Sequence, residues 1–529
     1  MILIKSIITQ PLKHLKCLPS QCSPHSAINF IQNRCNHSRN ASKLLYQSLI
    51  KEKAFINGRF QDSTTQEQFE VFNPANGELV GRVADCTTND LEIAIQSATK
   101  AFESWSQTLA KDRAHLLRNL HQQQIDNGEA LAQLITVEMG KPYPEARGEI
   151  FYGASFLDWF AEEARRIRGE ILQSPWRDKM LSYRKEAIGV AGIITPWNFP
   201  NAMVTRKLGA ALAAGCTVVI KPPEDTPFSV LALAELSQKA GFPPGVINVV
   251  PTSRKNTIDI GKRLCNDTDI SVISFTGSTD VGKWLIENSA KTVKRVCLEL
   301  GGDAPFIVFD SADLSKAADG CIGSKFRNAG QTCVSANRIF VQENIHDTFV
   351  ELLAKKIANL RCGDGFDAKT TIGPLINQKA IEKVLKHIND AVEKGAKIVC
   401  GGKVMQTRKE SCFFEPTLLI NANQSMILSK EETFGPVAAI FKFRTEDEVL
   451  QMANDCRRGL AGYFYSKNYQ QIERVTKKLQ VGMIGINDGI MSCCEAPFGG
   501  IKESGLGREG SHFGVDEFLQ IKYVCHGGL

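Results

Sequence analysis

The stretch Lys325-Phe-Arg-Asn-Ala-Gly-Gln-Thr-Cys333 ends a helix-spaced run (Ala317, Cys321, Ser324) with a small, polar, glycine-containing segment and a cysteine. A thiol is a useful nucleophile only as the thiolate, which needs a partly exposed, electropositive seat. Lys325 and Arg327 lie just upstream to supply it. Earlier in the chain, Leu298-Glu-Leu-Gly-Gly302 carries a carboxylate, Glu299, 34 residues before the cysteine. Alone, neither residue means much, since a cysteine in a chain with 16 of them is ordinarily a small core hydrophobe.

Three further segments carry groups suited to chemistry. Thr195-Pro-Trp-Asn-Phe-Pro200 fixes a loop between two prolines, so the amide of Asn198 is held where it could donate to a developing oxyanion. Lys221-Pro-Pro-Glu224 offers a cation and a carboxylate to the two hydroxyls of an adenosine ribose. The carboxylate of Glu224 would repel a 2′-phosphate, which favours NAD over NADP. Phe275-Thr-Gly-Ser-Thr-Asp-Val-Gly282 reads as strand, turn and helix start. Gly277, Ser278 and Gly282 there shape a helix N-terminus whose free N–H groups suit a pyrophosphate. The cysteines show neither a CxxC pair nor a Cys/His cluster of zinc spacing, so no metal site is expected.

These segments need elements to carry them. From Gly189 onward apolar β-branched runs alternate with helical patterns: strands at 190–195, 216–220, 246–250 and 271–275, helices at 205–214, 229–240 and 280–290. Strict alternation means parallel βαβ units in a doubly wound sheet, with ligands at the carboxyl ends of the strands. After Glu299 the alternation restarts, with strands at 306–309, 338–341 and 438–441 and helices at 314–326, 345–360, 378–394 and 445–455. The expected architecture is therefore two doubly wound α/β domains. Residues 48–168 and 188–298 would form the cofactor domain and 299–509 the catalytic domain. A small β element from 169–187 and 510–529 would mediate oligomerisation, since 169–183 reads as a projecting hairpin and 520–525 as an edge strand. Phe55-Ile-Asn-Gly-Arg59 reads as a second hairpin.

The N-terminus differs in kind. Residues 1 to 51 contain no Asp or Glu and, up to Leu45, six Lys or Arg, the make-up of a mitochondrial transit peptide, expected to span 1–47. Those six charges equal the whole chain's net +6, so the remainder is close to neutral and offers no basic surface for nucleic acid. No apolar run approaches the ~20 residues of a membrane span.

Taken in order, Pro196-Trp-Asn-Phe-Pro, Lys221-Pro, Phe275-Thr-Gly-Ser-Thr, Leu298-Glu-Leu-Gly-Gly, Gly330-Gln-Thr-Cys, Glu432-Thr-Phe-Gly-Pro436 and Pro497-Phe-Gly-Gly500 resemble the aldehyde dehydrogenase superfamily from about residue 50 to the end. Within it, Met203 to Cys216, Asp225 to Glu235, Ser324 to Asn328 and Ser504 to Gly510 are similar to the mitochondrial branch that acts on succinate semialdehyde. The resemblance implies NAD-dependent oxidation of that aldehyde to succinate in 4-aminobutyrate degradation, in the mitochondrial matrix, by a homotetramer. It implies Cys333 as nucleophile, Asn198 and the Cys333 N–H as oxyanion donors, and Glu299 as base for thioester hydrolysis. Trp197, Lys221, Glu224, Gly277, Ser278, Gly282, Glu432 and Phe434 would line the cofactor site, with Glu432 on the nicotinamide ribose and Phe434 near its ring. Superfamily members that take apolar aldehydes tend to have aromatic residues where this chain has Arg206 and Arg327. Two guanidinium groups in an otherwise apolar mouth would grip a distal carboxylate, with Ser492 as a third contact. An alternative is a longer acidic semialdehyde such as glutarate semialdehyde, and a non-catalytic scaffold would be expected to have lost at least one of these residues.

The chain also departs from the pattern. Ser335 stands where vertebrate relatives have a second cysteine that forms a redox-switch disulfide, Cys493-Cys494 follow Ser492, and Asp303 occupies a position where relatives tend to be apolar.

Overall fold

The structure is a computed structural model and describes residues 45–405 and 410–528. The expected transit peptide lies, up to Leu44, outside the described residues.

The alternation read after Gly189 builds an eight-stranded sheet. Its strands run Arg59–Gln61, Ala54–Ile56, Ile247–Val249, Thr217–Lys221, Val190–Ile194, Ile270–Thr276, Arg295–Glu299 and Gly505–Leu506 in spatial order. The five central strands are parallel. They are continuous apolar runs because both faces are covered. Ala191, Ile193, Val218, Ile220 and Val272 enter one core, while Val190, Val219 and Ile273 on the same strands enter the other. The Asn57-Gly58 pair turns the edge hairpin with φ of 52° and 73°, as a two-residue Asn-Gly turn requires.

The second alternation builds a seven-stranded sheet in the order Lys397–Cys400, Thr417–Ile420, Val437–Phe443, Ala336–Gln342, Ala304–Val308, Ala461–Tyr465 and Met483–Ile486, around a separate core. A third, antiparallel sheet pairs Glu170–Leu172 and Leu519–Gly527 with the two edges of Lys179–Ala187. Residues 505–506 return to the first sheet, beside Leu298 and Glu299. The helices Tyr143–Ala164 and Thr257–Asn266 and the strand Arg295–Glu299 are elements the pattern of alternation did not reveal.

Parallel strands in register end together. Ile194 lies opposite Lys221 and Phe275, and Thr276 lies opposite Glu299. The loops that carry Asn198, Lys221, Gly277 and Glu299 therefore open at one edge of the sheet, as the switch-point rule requires.

Candidate active site

Cys333 is reached through an unusual turn. Helix Leu314–Phe326 runs into Arg327–Gly330, where Asn328 and Ala329 both take φ of 54° and Gly330 takes 75°. Left-handed backbone costs a non-glycine residue roughly 1 kcal/mol, so the turn must be held. The Asn328 N–H donates to the Glu145 carboxylate at 3.1 Å, and its Nδ2 donates to the carbonyls of Asn198 (2.9 Å) and Gln331 (3.1 Å). Asn198 Nδ2 donates to the same Gln331 carbonyl at 3.1 Å. From the other side, buried Lys141 donates to the Asn198 carbonyl at 2.9 Å and pairs with Glu149 at 2.5 Å. Glu149 in turn accepts the Asn201 N–H at 2.9 Å. The asparagine loop and the cysteine loop are thus one hydrogen-bonded unit. Asn198 Oδ1 is left without a protein partner.

Cys333 is half-buried and lines a cleft. Burial pushes its thiol up to about 12, and Glu432 and Glu299 add to the rise, while Arg206 and Arg327 pull it down. Glu299 is buried, and neither carboxylate oxygen has a hydrogen-bond partner. Burial, with Glu509 next, holds it well above the usual carboxylate range, and Lys207 and Arg206 oppose the shift. It lies against Gly499, where a Cβ would stand 2.9 Å from its Oε1, and is not part of the cleft wall.

The two arginines differ from expectation in one respect. Arg206 does not wait for an anion, because it already has one. It is 1% exposed, with Nη1 3.2 Å from Glu509 and Nη2 donating to the Tyr152 hydroxyl at 2.5 Å. Its guanidinium stacks near Phe498 (4.7 Å) and Phe156 (4.8 Å). Lys207 pairs with the same Glu509, so the trio still carries a net positive charge. Arg327 is half-buried, 5.6 Å from the Phe199 ring, and makes no ion pair among the described residues. Ser492 sits half-buried in the loop before Cys493, and no hydrogen bond links it to either arginine among the described residues.

Beside Cys333 a cleft of about 370 Å³ is walled by Trp197, Asn198, Gly277, Ser278, Glu432 and Phe434. Trp197 and Phe434 meet edge to face at 5.6 Å. Buried Thr276 Oγ1 also lacks a partner, so with Asn198 Oδ1 the cleft presents polar atoms still to be satisfied. Ser278 caps the following helix, and Gly282 lets that helix approach Leu300, whose side chain a Cβ would strike. The Gly302 N–H lies 3.4 Å from Glu432 Oε1; burial lifts Glu432 to about 7 against the pull of Lys383 and Arg458. Lys221 and Glu224 lie outside this wall and pair with each other at 3.3 Å. Arg254 holds the other Glu224 oxygen at 3.0 Å and also binds Asp225. The carboxylate that would repel a 2′-phosphate is therefore clamped between two cations. A cleft with a helix N-terminus, aromatic walls and a half-buried carboxylate fits a nicotinamide dinucleotide.

The residue-by-residue reading missed Lys207, Glu509, Tyr152 and Arg254. The one available signal was charge inside an otherwise apolar helix: Ala202–Ala214 is buried at every position, so Arg206 and Lys207 both need partners.

Residues 60–524 match the model of the aldehyde dehydrogenase family. Mitochondrial succinate-semialdehyde dehydrogenase of Homo sapiens is 54% identical over 94% of this chain and 92% of its own length. A glutarate-semialdehyde dehydrogenase of Pseudomonas putida is 50% identical over 90% and 98%. Among solved structures, an NADP-dependent enzyme of Escherichia coli superposes with a TM-score of 0.89 at 50% identity, covering 91% of this chain and 99% of its own. With the family model matched over residues 60–524 and relatives at about half identity over nearly the whole chain, the chain belongs to the aldehyde dehydrogenase family.

Proposed function

We propose that this chain oxidises succinate semialdehyde to succinate in 4-aminobutyrate degradation, with NAD as the preferred cofactor. The observation that carries the substrate is cationic: Arg206 and Arg327 both act on the Cys333 thiol, one caged by aromatic rings and the other without an ion pair. A distal carboxylate would dock on Arg327 and add to the Arg206 cluster, placing the aldehyde carbon at the sulfur. Cys333 attacks that carbon, and the Asn198 amide and the Cys333 N–H stabilise the oxyanion. The dinucleotide supplies the hydride acceptor. Glu299 then activates the water that hydrolyses the thioester on Cys333, which requires the carboxyl to give up the proton that burial favours. Trp197, Gly277, Ser278, Gly282 and Phe434 shape the dinucleotide site, Lys221 and Glu224 hold the adenosine ribose, Glu432 holds the nicotinamide ribose, and Ser492 is a third carboxylate contact.

The acid-free N-terminus, and the mitochondrial relative, support import into the matrix. The projecting antiparallel sheet supports a homotetramer. The division into 48–168 with 188–298, 299–509, and 169–187 with 510–529 remains the working description of the domains. The Pseudomonas relative supports a second reading in which glutarate semialdehyde, one methylene longer, is the substrate.

The test is NAD(P)H formation by the purified chain on succinate semialdehyde, glutarate semialdehyde and an uncharged aldehyde of equal length. The expected kcat/KM is highest for succinate semialdehyde with NAD, and Arg327→Leu lowers it at least 100-fold while leaving the uncharged aldehyde within threefold. Equal rates on charged and uncharged aldehydes would remove the clamp.

A further inference from the structure

Asp303 follows the Glu299-Leu-Gly-Gly302 segment and has no part in the chemistry above. Its side chain is fully buried, and both of its oxygens have partners. Oδ1 accepts from Asn337 Nδ2 at 2.7 Å; Oδ2 lies 3.3 Å from Arg338 Nε and 3.2 Å from the Cys456 thiol, which donates to it. Arg338 also donates to the Asp303 carbonyl and to those of Met452 and Ala453. Asn337 reaches the other way. Its Nδ2 also donates to the Leu428 and Glu431 carbonyls, at 3.0 and 3.2 Å, and its Oδ1 accepts the Thr433 N–H at 3.0 Å.

We propose that Asp303 is a positioning residue for the cofactor site, which through Asn337 fixes the segment 428–433 and so the height of Glu432 over Gly302. The physical basis is the amide's two-way symmetry. Asn337 could flip and present its oxygen to the Leu428 and Glu431 carbonyls, which would repel it. An anionic acceptor at 2.7 Å locks the donor side inward, because a charge-assisted hydrogen bond is about twice as strong as a neutral one. Other bonds hold the segment at its flanks, among them His387 Nδ1 with Thr433 Oγ1 at 3.1 Å and the Glu431 N–H to the Ile427 carbonyl at 2.9 Å, but the direct tie between Gly302 and Glu432 is a long 3.4 Å, too weak to set their register alone.

The effect on catalysis rests on the reading of Glu432 as a ribose ligand; the effect on the segment does not. The experiment therefore has two arms, run on Asp303→Asn and Asp303→Leu in the full chain. In hydrogen exchange, the amides of 428–433, Thr433 above all, are expected to exchange at least tenfold faster in both variants, with the strands of the second sheet unchanged. Unchanged exchange at Thr433 in the isosteric Asp303→Asn overturns the proposal. In steady state, the KM for NAD is expected to rise about tenfold while the KM for the aldehyde stays within twofold, and Asn337→Ala added to Asp303→Leu gives no further loss. Additive losses would show that Asp303 acts by another route and also overturn it. Glu432→Gln separates the two readings. If it leaves the KM for NAD unchanged, the ribose assignment fails, and the tether is then judged on exchange alone.

Discussion

Cys333 and Glu299 share one physical condition: burial disfavours the charged form of each, which works against two negative charges in one site before substrate arrives. For Glu299 this has a consequence for stability whose sign can be worked out. Its native-state pKa is raised, so above pH ~4.3 the unfolded chain has released a proton that the native chain still holds. The unfolded state then binds fewer protons, and stability falls as pH rises until the native carboxyl ionises too. Glu299→Gln removes that penalty and keeps the shape. Its melting temperature is expected to match wild type near pH 4 and exceed it by about 2 °C at pH 8, while turnover falls at least 100-fold for want of the hydrolytic base. Differential scanning calorimetry at the two pH values checks it. Equal melting temperatures at both would mean that the native carboxyl is already ionised.

At the scale of elements, the turn Arg327–Gly330 carries the site, and its tolerance is set by backbone rather than side chain. Gly330 needs φ of 75°, and a Cβ there would run into the Gly435 carbonyl, beside the Phe434 loop across the cleft. Gly330→Ala should push the cysteine loop and the Phe434 loop apart. The expected outcome is a drop in kcat of tenfold or more with far-ultraviolet circular dichroism unchanged. Ala329→Gly, where the left-handed φ already suits glycine, should stay within about 1 kcal/mol of wild type. The two variants together separate strain from contact, and an active Gly330→Ala would show that the loops are free to part. What the sequence made legible here is local. Apolar β-branched runs predicted the strands, and ordered motifs predicted which loops matter, because each signal lies within a few residues. Helix Tyr143–Ala164 escaped because it packs against neighbours on several sides, leaving Phe156, Phe160, Ala154 and even Glu149 all buried and no simple stripe to read. Glu509 and Asp303 escaped for a different reason. Their partners, Arg206 with Lys207 and Asn337 with Arg338, are brought to them by the fold, and no spacing in the chain announces such pairs.

At the scale of the whole molecule, the three-stranded sheet is unfinished. Glu170–Leu172 and Leu519–Gly527 are its two edges, with unpaired backbone groups on their outer sides. The same sheet and its hairpin expose Ile171 (76%), Ile521 (69%), Tyr523 (56%) and Trp176 (51%) to solvent. Ile521 and Tyr523 lie on one face of the sheet and Ile171, aligned with Ser182 and Val524, on the other, so both faces present apolar side chains to water, and burying each is worth roughly 1.5–3 kcal/mol. Further copies of the chain are the economical cover, since an edge strand can extend a neighbour's sheet and its apolar face can pack on the same visit. Light scattering on the purified chain is expected to give four times the subunit mass. Ile171→Asp combined with Ile521→Asp places a charge at each of two buried contacts, and every ~1.4 kcal/mol lost weakens association tenfold. The double variant is expected to run as dimer or monomer at micromolar concentration with its circular dichroism intact. Because no residue of the three-stranded sheet lines the cleft beside Cys333, the dissociated form should still bind NAD. A tetramer that survives both charges would place the subunit contacts elsewhere on the chain, and loss of NAD binding on dissociation would mean that assembly also shapes the cleft.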